Sequence, residues 1–411
     1  MRESVYFFFV LLLLCICLVS CGSLEATKKA ILPSIRPEAL RVTSTEDRGI
    51  NDYKTIEVTP DIFFEPDASE PGTRNTRAAI RSAILINDGK MFFGNESNEF
   101  RALDMKTGEQ KWLYMTDAAV KTLPVYENEK VIFHAENTLY ILNAGDGAEI
   151  VKVQAEPDGG RRLSSESFSF NDSHTAVAEG VAYFAVNSGN IYGVDINTGK
   201  IVFEFKTDKP GPVASGVHYY EGKLYFTDAG AQLRCIGSES GEAIFTTLIK
   251  DRIFAPMTFD EGKIYLGGRS CLFFCIDANN GEILWSSFSA DSTTWFSGGS
   301  VVIDDTVYAC VSDEHALPSF NKNTGEFKRI YPTESNSYTM PVLNGKNIVL
   351  AASDVYSFSQ AFIMEFDTNK HYALWQAKIK DSVLSSPALY DGAVYFGSDS
   401  GKIYKITLPL L

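Results

Sequence analysis

The side chains best able to do chemistry in this 411-residue chain are its seven cysteines and five histidines, and their spacing argues against most of that chemistry. His134, His174, His218, His315 and His371 are scattered, with none near another in sequence. No His-Glu-x-x-His helix, Gly-x-Ser-x-Gly elbow or P-loop is present, so core or surface hydrogen bonding is the expected role of each histidine. Four cysteines lie in the body of the chain, at Cys235, Cys271, Cys275 and Cys310, without a Cys-x-x-Cys pair. They are expected to pack as small apolar residues, not to form disulfides or hold metal. Turns such as Asp-x-Asn-Thr-Gly at 195–199 offer a single Asp each, too few oxygens for a calcium site. They suit hairpins instead, because the Asx side chain bonds its own downstream backbone and the Gly tolerates positive φ. A formal charge of −15 and the lack of any Lys/Arg-rich run leave no attraction for phosphate backbones, so nucleic acid is not an expected partner. The expectation is a chain with no catalytic, cofactor-binding or metal residues.

Cys21 stands apart. It follows Arg2 and an almost unbroken apolar run of fifteen residues at 5–19, in the sequence Leu18-Val19-Ser20-Cys21-Gly22. That run is short for a transmembrane helix, which takes about 20 residues, and suits the core of a signal peptide. The four residues ending at Cys21 resemble a bacterial lipobox, where small residues admit the peptidase and the thiol receives diacylglycerol. Residues 1–20 are therefore expected to be a lipoprotein signal peptide, Cys21 the lipidation site, and 22–51 a polar, flexible tether. Each buried lipid CH₂ contributes about 0.8 kcal/mol, so a Cys carrying two or three chains is a strong membrane anchor.

The elements that would position any site come from a repeat. Residues 261–285 read EGKIYLGGRSCLFFCIDANNGEILW, and 88–112 read DGKMFFGNESNEFRALDMKTGEQKW, with the same fifteen-residue step from Gly to Asp. Aligned on the first turn, eight units begin at Gly89, Glu129, Gly180, Gly222, Gly262, Asp305, Gly345 and Gly392, most of them 40 to 43 residues apart. Each has room for four strands with a Tyr/Phe-rich second strand. Four-stranded sheets of about 40 residues arranged radially make a β-propeller, so the expected fold is all-β, an eight-bladed propeller of antiparallel blades over 52–411. The eighth unit stops at 402–408, before a fourth strand. Residues 53–58 alternate suitably and are expected to close that last blade, since a missing strand would leave an exposed edge.

The unit Gly-Lys-hydrophobic-Tyr, then Asp-x-x-Thr-Gly-Glu-x-x-Trp, resembles the PQQ-type β-propeller repeat, found in quinoprotein dehydrogenases and in non-enzymatic eight-bladed propellers. With the lipobox, the chain is similar to the BamB-like lipoproteins of outer-membrane β-barrel assembly. That resemblance implies a non-enzymatic, lipid-anchored scaffold on the periplasmic side of the outer membrane, monomeric within a complex, with the β-barrel assembly machinery as partner. The dehydrogenase branch carries a vicinal Cys-Cys disulfide beside its quinone, and no Cys-Cys pair exists here. A quinone cofactor is accordingly not expected. The alternative is a periplasmic or surface propeller that binds a glycan or protein ligand.

Departures from the repeat mark the candidate interaction surface. Spacing rises to 51 residues between Glu129 and Gly180, where 154–178 include Arg161 and Arg162. In the seventh unit the Gly-to-Asp step grows to twenty-two, adding Tyr356 and Phe358. One insertion joins a fourth strand to the next first strand and the other joins second to third, so both emerge on one propeller face. Trp295 and Phe296, in another fourth-to-first connection, complete the set, with the alternative that these aromatics plug the channel or cap blade edges.

Overall fold

Second and third strands of each unit are apolar on both faces, as in Met91-Phe92-Phe93 and Phe273-Phe274-Cys275-Ile276, and such strands need cover on both sides. Radial packing of sheet on sheet supplies it. The computed structural model describes residues 55–66, 78–156, 174–211, 213, 215–288, 294–355, 357–370 and 372–409. Within them eight antiparallel sheets form blades at 85–115, 125–154, 176–205, 218–248, 258–288, 300–332, 342–379 and 388–407. First strands are short and lie against the first strands of neighbouring blades around the axis, those of blades 1 and 8 included. Fourth strands form the outer rim, and in Gln110–Met115 four of the six residues are exposed.

The ring is closed by the N-terminal segment, but not by the residues expected. Ile56–Glu57 runs parallel to the fourth strand of blade 7, Ala373–Ile379, pairing Ile56 with Trp375 and Glu57 with Gln376. Asp61–Phe64, further along, pairs antiparallel with Ile403–Thr407 and completes blade 8. Ile56–Glu57, within the expected segment, is thus a fifth strand on the preceding blade. Alternation could not decide between them: the four residues Asp-Ile-Phe-Phe do not alternate, because Phe64 meets Phe93 of blade 1 and Phe63 meets Tyr395 of blade 8. A charged latch joins blades 8 and 1, where Arg81 bonds Asp399 at 3.1 Å and Glu96 at 3.0 Å.

Blades dock through the turn before each fourth strand. In Asp277–Gly281 the Asp277 carboxylate accepts the main-chain N–H of Asn279 at 2.7 Å and of Asn280 at 3.3 Å, and Gly281 takes φ 75°. The Gly in such a turn lies on the fourth-strand aromatic of the blade before it. A Cβ on Gly325 would sit 2.6 Å from the Trp285 ring, and one on Gly147 2.6 Å from Trp112. Each indole N–H then donates to the neighbouring blade: Trp285 Nε1 to the Lys322 carbonyl at 3.1 Å, Trp112 Nε1 to that of Ala144 at 3.3 Å. A β-bulge such as that between Cys275 and Ile276 opposite Trp285 recurs in the fourth strands of blades 1 to 7, and in blade 8's borrowed strand the shift lies between Ile62 and Phe64. Bulges re-aim a side chain, here onto the next blade.

Candidate functional site

Turns between second and third strands share a face with the fourth-to-first connections, and hydrogen bonds between the two kinds of loop define that face. Asp251, in the connection from blade 4 to blade 5, accepts the Ser270 N–H on both carboxylate oxygens at 3.0 Å. Arg269 N–H donates to the Arg252 carbonyl at 3.0 Å, and Asp399 N–H to that of Ser382 at 2.9 Å. Burial pushes the Asp251 carboxyl up to about 6, against the pull of its Ser270 and Arg252 N–H donors. Gly268 is required beside it, since a Cβ there would overlap the carboxylate.

Trp295 sits on this face, half-buried and held on both sides of its peptide. Its N–H donates to Ser312 Oγ at 3.1 Å, and its carbonyl accepts the Ser312 N–H at 2.9 Å. The Arg269 guanidinium lies over the indole, 4.3 Å from the ring centroid. The result is a preorganised aromatic and cationic plate beside a buried carboxyl, suited to stacking and charge-assisted hydrogen bonding with a partner. Nothing in the sequence singled out Arg269 or Asp251.

Phe296 requires a correction. It is 2% exposed and packs in the core with its ring tilted against Phe273 at 5.0 Å and Phe320 at 6.1 Å, so it cannot serve as a surface anchor. The physical cause is Gly267 at the end of a second strand, whose missing side chain leaves the space Phe296 fills. Val120 over Gly94 and Ile80 over Gly397 repeat the arrangement. The recurring Gly after Phe93, Leu266 and Phe396 is the sequence signal for it.

The other expected contacts divide in two. Phe358 is half-buried on the same face, packed against Tyr338, Val355 and Leu384. Arg161, Arg162, Tyr356 and the lipidation residue Cys21 lie outside the described residues.

Three histidines far apart in sequence meet between blades 2, 3 and 4. The rings of His174 and His218 are 5.7 Å apart, and His134 Nδ1 lies 2.7 Å from Oγ1 of Thr175, the neighbour of His174. Among the described residues neither ring nitrogen of His174 has a hydrogen-bond partner. Burial holds His134 and His174 down at about 3 and His218 at about 4. Among the described residues no group of three or more His, Cys, Asp or Glu is arranged to hold a metal ion. Burial likewise pushes the Cys275 and Cys310 thiols up to about 12, so both are unreactive packing groups at neutral pH.

Comparison with known proteins bears on the whole ring. A family model described as outer membrane protein assembly factor BamB matches residues 73–204 and 187–408. The crystal structure of BamB from Moraxella catarrhalis is similar, with TM-score 0.64 and 15% identity over 80% of this chain and 96% of that one. So is the computationally designed Ika8 protein, with TM-score 0.63 and 14% identity over 81% of this chain and 97% of the other. A quinohemoprotein alcohol dehydrogenase, ADHIIG from Pseudomonas putida HK5, follows at TM-score 0.54 and 13% identity, over 69% and 64%. No curated protein matches the chain. At these identities the three structures speak for the fold alone, which a natural assembly factor, a design and an oxidoreductase all share.

Proposed function

The chain belongs to the family described as outer membrane protein assembly factor BamB, and from that premise we propose that it is a non-enzymatic scaffold of the bacterial envelope. It is anchored by lipid on Cys21 at the periplasmic side of the outer membrane and holds a protein of the β-barrel assembly machinery. The observation that carries the reading is the family match, which runs through all eight blades, over 73–408. The loop face supports it with a rigid contact point, Trp295 under Arg269, on the side where the repeat is interrupted.

The test is a crosslinking pull-down of the lipidated protein from its own membrane, paired with outer-membrane barrel levels in a deletion strain. Recovery of the insertion machinery and reduced barrel levels are expected. Normal barrel levels together with no recovered machinery would sink the proposal. The half-buried indole plate also fits a ligand-binding propeller, for a glycan or a protein. Saturable glycan binding that vanishes in Trp295→Ala, with barrel assembly unaffected, would favour that second reading.

A further inference from the structure

The sequence treats the outer edges of the blades unequally. An unpaired outermost strand offers its N–H and C=O groups to any extended chain, and proteins blunt such edges with charge, proline or cover. Lys111, Lys152, Glu204 and Asp61 place charges in the fourth strands of blades 1, 2, 3 and 8. Lys328 and Pro332 blunt blade 6, and Ile56–Glu57 covers blade 7. Ala243–Leu248 of blade 4 and Ile283–Phe288 of blade 5 contain neither charge nor proline. These two edges are neighbours on the ring, and among the described residues no strand pairs with either.

Blade 7 shows what an added strand does there. Val58 N–H donates to the Gln376 carbonyl at 2.8 Å, so Gln376 turns its main-chain groups outward. Leu374, the bulge residue beside this strand, is 9% exposed, whereas its equivalents Ile244 and Leu284 are 45% and 42% exposed. Thr246 and Ser286 follow Phe245 and Trp285 as Gln376 follows Trp375, so their N–H and C=O groups also face outward. Beyond the bulge, Thr246 and Leu248 share one face of the blade 4 strand, with Leu248 51% exposed.

We propose that the rims of blades 4 and 5 bind an extended polypeptide segment by strand addition, parallel to the fourth strand, with apolar residues at alternate positions and no charge in its middle. The edge supplies no countercharge, which selects an uncharged segment, and the parallel seating follows the strand already in place on blade 7. The occupant we commit to is a segment of another polypeptide with this pattern; both described N-terminal strands of the chain are engaged on blades 7 and 8. The rim is distinct from the Trp295 plate, and the inference stands whether or not that plate binds a protein.

The probe is a fluorescein-labelled, alternating valine–threonine peptide with a lysine at each end, titrated against the full chain by fluorescence anisotropy. Saturable binding is expected, lost when every second peptide nitrogen is methylated. The variant Thr246→Lys/Leu248→Pro/Ser286→Lys brings a charge to both edges and a proline to that of blade 4, and should raise Kd about tenfold or more, with melting temperature unchanged. Should that variant fold poorly, hydrogen exchange on the unaltered protein decides: the Thr246 and Ser286 amides should slow on peptide addition, and the Glu204 amide should not. Equal affinity for the methylated peptide, unchanged exchange at both amides, or concentration-dependent self-association through these edges that the peptide fails to disrupt would overturn the proposal.

Discussion

Acidification should weaken the fold through the three buried histidines, and the size of the effect follows from their environments. In the unfolded chain each imidazole takes up a proton near pH 6.5, whereas burial holds His134 and His174 at about 3 and His218 at about 4. The unfolded state therefore binds more protons between those limits, and stability present above pH 6.5 is lost as pH falls towards 4 and 3. At about pH 5 each histidine has lost some 1.5 pH units of this advantage, about 2 kcal/mol, or roughly 6 kcal/mol for the three. Asp251 acts in the opposite sense, because its carboxyl is raised to about 6 and the folded state gains the proton first. That returns about 1 kcal/mol at the same pH, leaving a loss on the order of 4 to 5 kcal/mol, an upper bound where local opening relieves the desolvation. Urea unfolding of the full chain at about pH 7 and about pH 5 measures it. His174→Phe removes an imidazole that has no hydrogen bond to lose, so it should reduce the pH-dependent loss by about 2 kcal/mol. Equal pH dependence in parent and His174→Phe, or titration of His134, His174 or His218 near pH 6.5 in the folded protein by NMR, would refute the reasoning.

Three further outcomes follow from the packing. Truncation that removes Ile56–Glu57 should leave a closed ring with a bare blade 7 edge, whereas truncation through Asp61–Phe64 opens blade 8 and should cause aggregation, read by size-exclusion chromatography. Phe296→Ala should cost about 3 to 5 kcal/mol in urea unfolding, as for other buried aromatics, while Trp295→Ala, on a half-buried plate, should cost clearly less. Gly325→Ala should lower the melting temperature, since a Cβ at φ 71° is strained and would sit 2.6 Å from the Trp285 ring; equal melting of the variant and the parent would remove the docking role of that contact.

The repeat was legible because each of its residues has a local reason. Asp277 caps its own turn, Gly281 takes the positive φ, and Tyr265 and Trp285 reach the next blade, so one unit predicts the following one. Third-strand ends at Asp104, Asn143, Asp195, Gly237, Asp277, Asn321 and Asp367 follow from the turn chemistry alone. What escaped was non-local. Ile56–Glu57 and Asp61–Phe64 are both short, and only contacts more than 300 residues away decide which of them enters blade 8. Phe296 looked like its neighbour Trp295, and their different fates rest on Gly267 in another strand. The histidines were scattered in sequence because a ring of blades brings together positions spaced by whole repeats.

Regularity also explains where binding can be sought in such a ring. Where a unit carries the aromatic, the Gly and the Asx, the blade interface consumes them, so those positions have nothing left to offer a partner. Freedom remains where the units differ: in the loops that carry Trp295 and Phe358, and along a rim where six edges are protected and two are not. The rim contrast is the sharper of the two, because the blade 7 edge acts as an internal control. The same strand position is buried when a parallel strand lies beside it and exposed when none does, which makes Leu374 against Ile244 and Leu284 a direct comparison within one chain. Exposed apolar residues on a lone edge would be unremarkable, since much of any protein surface is apolar. Two adjacent edges keep only the bulge that the other fourth strands also carry, in a ring that adds charge, proline or cover to the remaining six, and the proposed strand addition rests on that contrast.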